Sequence, residues 1–248
     1  MTHADAAFFT LNPALDAERL ADCFRCDGAI QILDFLASGT AEALYQELAG
    51  SPEWRRVING GEKVFEIPAA NYAALPPEEI RALEATVMES AAHGFQFRYE
   101  TIRVPDSLNE RCSSDRLVDE FAEALGSEPI LDFLRRITDE PHILFADAQA
   151  TRYQPGDFLT SHDDNVAGKN RRLAYVLSLS KGWRAEWGGL LHFTDQTGQT
   201  VFRSIVPRFN ALSLFRVPQR HHVGCVAPFA PKPRLSITGW LRTERPAA

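Results

Sequence analysis

The sequence predicts a mainly β fold with helical support on its N-terminal side, an α+β chain whose core is a double-stranded jelly roll. Three observations predict it. Apolar stretches of strand length recur after residue 140, at 143–153, 158–164, 172–180, 190–194, 199–206, 210–216, 221–226 and 234–243. Turn-forming pairs separate them: Pro155-Gly156, Gly188-Gly189, Thr197-Gly198 and the proline-rich run 228–233. About eight short strands at this spacing build a sandwich, barrel or jelly roll. Before residue 140 the periodicity is helical instead.

The N-terminal elements each carry their own signals. "DAERLADCFRCDG" reads as a helix stopped by Gly28. "TAEALYQELAG" has a threonine start, an apolar stripe and a glycine stop. In "PPEEIRALEATVMESAAHGFQFRYETI" the leading proline and two glutamates suit the positive end of a helix dipole. "SSDRLVDEFAEAL" begins like a capping segment, with Asp119 and Glu120 turned away from an apolar face of Leu117, Phe121 and Leu125. "AIQILDFL" and "WRRVINGGEKVFEI" read as strands, the second a hairpin turning at "NGG". No repeat or linker divides the chain. We therefore expect one unit over 1–248: a helical buttress with flanking strands over 1–140, and the β core over 141–245.

Composition narrows the function. A formal net charge of −7 opposes a general grip on nucleic acid or anionic lipid. No run of about twenty apolar residues predicts a membrane span, and the N-terminus lacks the basic-then-apolar order of a signal peptide. The expected location is the cytoplasm. Four scattered cysteines do not make a disulfide framework, and the "CFRC" pair reads as ordinary buried packing. Ser178 and Lys181 spell S-x-x-K, but at a strand end without companion motifs.

The chemistry concentrates in "FLTSHDDN". Carboxylates suit a strand interior poorly. Residues two apart in a strand share a face, so His162 and Asp164 would project together and Asp163 away. One more histidine from a facing strand would complete a two-His, one-carboxylate set, which binds non-haem Fe(II) and leaves positions open. The candidates are His192, His221 and His222; of the adjacent pair only one can face inward, and the periodicity of "RHHVGCV" does not decide which. Arg234 and Ser236 share a face of the last strand, and an inward arginine needs an anion. A guanidinium with a hydroxyl beside it suits a carboxylate. Trp183, Trp187 and Trp240 could line the cavity or fill the core, with core packing expected for at least two of them. Trp54, Arg55 and Arg56 stand in the hairpin, which could reach over the mouth of the site.

The motifs "RYQPGDFLTSHDDN", "RRLAYVLSLSKGW", "WGGLLHF", "HHVGCV" and "RLSITGWLR", in this order and over about residues 145 to 245, resemble those of the Fe(II)/2-oxoglutarate dioxygenases of the prolyl 4-hydroxylase type. They are most similar to the branch of ribosomal-protein prolyl hydroxylases and their bacterial relatives. The resemblance implies a cupin-like double-stranded β-helix. It implies His162, Asp164 and His222 as iron ligands. It assigns the distal carboxylate of 2-oxoglutarate to Arg234, with Ser236 beside it and Tyr153 lining the same pocket. Fe(II), 2-oxoglutarate and O2 are then required, with ascorbate as an optional reductant. The implied reaction hydroxylates an unactivated C–H bond, of a prolyl residue in a ribosomal or translation-related protein, and releases succinate and CO2. A small-molecule hydroxylase and a non-catalytic metal-binding jelly roll are the alternatives. The sequence departs from the pattern at Ser178, where relatives often carry an aromatic.

Overall fold

The computed structural model describes residues 8–60 and 63–245. In chain order the elements are α1 (Ala17–Asp27), β1 (Ala29–Ile32), α2 (Thr40–Gly50), β2 (Arg55–Gly60), β3 (Lys63–Pro68), α3 (Ala69–Ala73), α4 (Pro77–His93), β4 (Phe97–Arg103), α5 (Leu108–Cys112), α6 (Leu117–Leu125) and α7 (Glu128–Thr138). The strands β5 (Phe145–Ala146), β6 (Gln149–Tyr153), β7 (Phe158–His162), β8 (Arg171–Ser178), β9 (Leu191–Thr194), β10 (Val201–Ile205), β11 (Ala211–Arg216), β12 (His221–Val223) and β13 (Arg234–Arg242) follow.

The strands pair antiparallel in the order β1-β11-β8-β13-β6-β4-β7-β12-β9-β10. β3 extends from β2, which pairs with β4, and β5 pairs with β13. The two ends of this path approach each other, since the Gln31 side chain donates to the Val206 carbonyl at 3.0 Å. The result is a nearly closed jelly roll. The N-terminal segment is more than a buttress: β4 lies in the middle of the path, between β6 and β7. The stretch that opens with Pro76 is helical only to Gly94, the α4 cap, and its remainder forms β4.

Local chemistry explains most boundaries. Asp16 caps α1 by accepting from the Arg19 amide, and Gly28 ends it at φ 66°. Only a glycine takes that left-handed conformation without strain. α7 starts with proline in its first turn and ends at Asp139, also left-handed. β13 needs Gly239 because a Cβ there would lie 2.0 Å from the Asp147 carbonyl oxygen. The hairpin forms as expected through Gly60, and its turn residues Gly61 and Glu62 lie outside the described residues.

Two expectations fail. Asp119 is fully buried, because Arg116 comes down over the first turn of α6 and pairs with it at 2.7 Å. Cys23 and Cys26 are free and exposed, as are Cys112 and Cys225. On α1 the buried positions are Ala17 and Phe24, so both thiols flank the packed face. The main core joins the helices to one side of the sheet through Phe24, Leu44, Phe121, Leu134, Leu177, Leu212 and Ile237. No helix among the described residues is long and apolar enough to cross a membrane.

Candidate metal centre and its cavity

β7 and β12 are neighbours, and their register sets His162 directly opposite His221. Directly opposed residues share a face of an antiparallel pair. The two rings lie 4.2 Å apart between centroids. Asp164 completes the group: its Oδ1 is 3.4 Å from His162 Nε2 and its Oδ2 is 3.4 Å from His221 Nε2. One donor atom from each of the three lies within 4.8 Å of the others, the one such grouping of three among the described residues.

The expectation of His222 fails on register. Its ring points to the opposite face, where it opposes His192 of β9 and stacks on it at 4.7 Å. His192 is held there by a 2.8 Å contact to the Ser204 hydroxyl. Asp164 does join His162, but not by strand alternation. β7 ends at His162, and Asp164 stands in a left-handed turn at φ 62°. Asp163 accepts from the Asn165 amide and closes that turn.

The donor set fits a divalent cation. His162 Nδ1 is 3.0 Å from the Thr160 carbonyl, and His221 Nδ1 is 2.8 Å from the Gln219 carbonyl. A carbonyl only accepts, so both Nδ1 atoms carry the proton and both Nε2 lone pairs face the carboxylate. Burial, with the neighbouring His162, pushes the His221 imidazole down to about 4. It is therefore neutral at physiological pH, the form that ligates. Burial opposes ionisation of Asp164, but the His162 and His221 rings when protonated, together with the Trp240 side chain, outweigh it and hold its carboxyl below the usual value.

The cluster opens into a cavity of about 350 Å³. Arg234 lies in its wall, 2% exposed. The β13–β6 register sets Arg234 opposite Tyr153, and the guanidinium sits 5.1 Å from the centre of that ring. Nη1 donates to the Ser236 hydroxyl at 3.1 Å, and Nε has no partner. Among the described residues no carboxylate pairs with Arg234. A buried guanidinium with no counter-charge costs several kcal/mol, which an anionic ligand offsets. Tyr153 is itself buried and stacked on Tyr99 at 5.2 Å, with its phenol pushed up by burial. Ser236 is fully buried and does not line the cavity. It anchors Arg234 and contacts the Thr151 hydroxyl at 2.9 Å. Ser178, opposite Ser236 on β8, is buried outside the cavity as well.

Two further side chains line the cavity: Trp240, one of the tryptophans offered for that place, and Arg171, which nothing in the sequence singled out. Trp240 lines it, with an indole N–H that is buried and unpartnered. The Arg171 guanidinium lies 3.5 Å from the Trp240 ring centre, its Nη1 donates to the Asp164 carbonyl at 3.2 Å, and its Nε is also unpartnered. Trp240 was legible: it continues the alternation of Arg234, Ser236 and Thr238 along β13. Arg171, at the start of a strand, carries no such signal. Trp183 packs edge-on against Trp187 and donates to the Gly188 carbonyl, as core residues do. Trp54 and Arg56 are buried, so they form no peptide-binding surface. The mouth is apolar: Phe95, half exposed, lies 5.4 Å from the His162 ring, and Val166 stands exposed beside the Asp164 turn.

Residues 148–242 match the family model of the 2OG-Fe(II) oxygenase superfamily. The chain is 32% identical over 141 residues to prolyl 3-hydroxylase sudestada1 of Drosophila melanogaster, covering 52% of this chain and 25% of that protein. It is 34% identical over 100 residues to prolyl 3-hydroxylase OGFOD1 of Mus musculus, covering 38% of this chain and 18% of that one. The chain thus spans a quarter or less of these relatives. In fold it is similar to a Pseudomonas putida prolyl-4-hydroxylase (TM-score 0.54, 20% identity, 91% of this chain and 98% of that one). It is also similar to a Trichoplax adhaerens prolyl hydroxylase in complex with a hypoxia inducible factor peptide (TM-score 0.57, 16% identity, 92% and 89%).

Proposed function

We propose that this chain, a member of the 2OG-Fe(II) oxygenase superfamily, hydroxylates a prolyl residue of a protein substrate. His162, Asp164 and His221 hold Fe(II) from one side. Arg234, steadied by Ser236, holds the distal carboxylate of 2-oxoglutarate, and Tyr153 packs against that pocket. When bound, the metal with 2-oxoglutarate and O2 supplies the oxidation: one oxygen atom enters a C–H bond as hydroxyl, and the other leaves in succinate alongside CO2.

The protein's own part is positioning and exclusion of water. Phe95 and Val166 offer an apolar rim suited to a pyrrolidine ring. Arg171 and Trp240, stacked on each other beside the Asp164 turn, shape the wall next to the metal ligands. The prolyl 3-hydroxylase relatives support the same substrate class. Four exposed, unpaired thiols fit a reducing compartment, and we place the enzyme in the cytoplasm.

The observation that carries the reading is a counter-charge-free Arg234 in the same cavity as the His–Asp–His group. The test is succinate formation from 2-oxoglutarate by the purified chain with Fe(II) and ascorbate, with and without prolyl peptides. A peptide that raises turnover and gains one oxygen at proline is the expected result. Turnover that responds only to small molecules overturns the protein-substrate reading, and no turnover under any condition overturns the enzymatic one.

A further inference from the structure

A second cavity, of about 470 Å³, abuts the first. Asn165, Val166 and Arg171 line both, so the two form one path that runs from the metal cluster over the β7–β8 turn. The far part of this path differs in chemistry from the apolar mouth. Its charged lining residues are Glu140, Arg171 and Arg172. Glu140 is nearly buried, and two guanidiniums converge on it: Arg172 through Nε at 3.0 Å and Arg216 through Nη1 at 3.0 Å. One carboxylate cannot neutralise two cations. Arg172 grips Glu140 with both Nε and Nη2, the second at 3.3 Å, yet keeps 52% of its side chain exposed in the lining of the groove, with Nη1 free of any protein partner among the described residues. Arg171 lines the junction of the two cavities, but its charge faces Asp164 and Asp147, so the uncompensated positive charge of the groove rests on Arg172. This local excess of positive charge stands in a chain of net charge −7.

We infer that the groove holds the polypeptide flanking the hydroxylated residue, and that this flank carries an acidic side chain that pairs with Arg172. The inference rests on the reading of the cavity as a prolyl hydroxylase site, and it specifies the substrate further. A small substrate would fill the first cavity and leave the second without use. A peptide anchored at its proline runs beyond the mouth, and the course marked by Asn165 and Val166, which line both cavities, leads to Arg172. A carboxylate there completes the charge balance around Glu140 and Arg216.

The test uses proline-centred peptides of otherwise uncharged sequence, with three glutamates or three lysines on either side of the proline. Binding is read by fluorescence anisotropy on the full chain with Mn(II) and 2-oxoglutarate, and hydroxylation by mass spectrometry with Fe(II). Glutamates on one side of the proline are expected to improve affinity and kcat/KM by about tenfold, an advantage that added salt erodes. Arg172→Glu should erase it, and so should the milder Arg172→Gln, which keeps a donor for Glu140. Equal handling of glutamate and lysine peptides, or a preference that survives both variants, overturns the inference. Hydroxylation without an acidic preference removes the groove and leaves the proposed function standing. Arg172-dependent binding of glutamate peptides without hydroxylation supports the groove and removes the function instead.

Discussion

His221 and His222 differ by one position and by everything that matters for the centre. His221 opposes His162 across β7–β12, while His222 stacks on His192 on the other face. We expect His221→Ala to lower peptide-dependent succinate formation by about 100-fold or more, with matching loss of Mn(II) binding by calorimetry. His222→Ala should stay within about twofold by both measures. Arg234 makes a second prediction, of opposite sign for stability and activity. Its buried charge meets no carboxylate among the described residues, and Nε has no partner. Arg234→Met should raise the thermal stability of the ligand-free chain, in keeping with the ~1–4 kcal/mol gained when buried ions give way to apolar groups. The same change should raise KM for 2-oxoglutarate by at least about tenfold. A melting temperature that falls would show that the guanidinium is compensated in the free protein.

At the scale of elements, the site depends on how β7 is held. Asp157 stands just before it, 2% exposed at its side chain, and accepts from Arg56 of β2 at 2.6 Å and Arg98 of β4 at 3.0 Å. Arg56 also meets Glu100, and Arg98 meets Glu84 of α4. The network therefore ties α4, β2 and β4 to the strand that carries His162. Removing the central carboxylate leaves two buried guanidiniums short of charge. Asp157→Ala should cost about 3–5 kcal/mol in urea unfolding, since breaking one partner of a buried pair strands the other. Glu84→Ala, whose side chain is 42% exposed, should cost less than about 1 kcal/mol. The ends of β7 and β8 also explain why Asp164 could be named from sequence for a reason that the structure replaces. A strand would have delivered it by alternation, and a left-handed turn delivers it instead.

For the molecule as a whole, buried acids shape the pH dependence: burial raises the carboxyls of Asp147 and Asp157, while Asp164 is held low. Asp147 lies between β5 and β6, and burial pushes its carboxyl from 3.8 up to about 6, against the Trp240 amide and the Arg171 and Arg242 charges that favour ionisation. The fold therefore prefers the protonated form. Its contribution is complete below the unfolded value and is lost as pH rises toward about 6, a swing of about 3 kcal/mol. Denaturant midpoints should fall across that window and then flatten. Asp147→Asn keeps an acceptor for the Trp240 amide and should remove this contribution, leaving a shallower slope. A variant with an unchanged slope would locate the effect elsewhere.

The sequence alone determined the class of fold and the type of chemistry. Alternation, turn residues and the order of motifs are local properties, and His162, Asp164 and Arg234 can be named from them. Which of two adjacent histidines faces His162 was decided only by the tertiary structure, because strand register depends on pairing between distant segments and a shift of one residue exchanges the faces. The same holds for Arg171, which meets Trp240 across strands, for Asp119, which Arg116 draws inward, and for the cysteines of α1, whose exposure depends on what packs against the helix. Local pattern specifies what each segment can be. Contact between segments far apart in the chain selects which side chains meet.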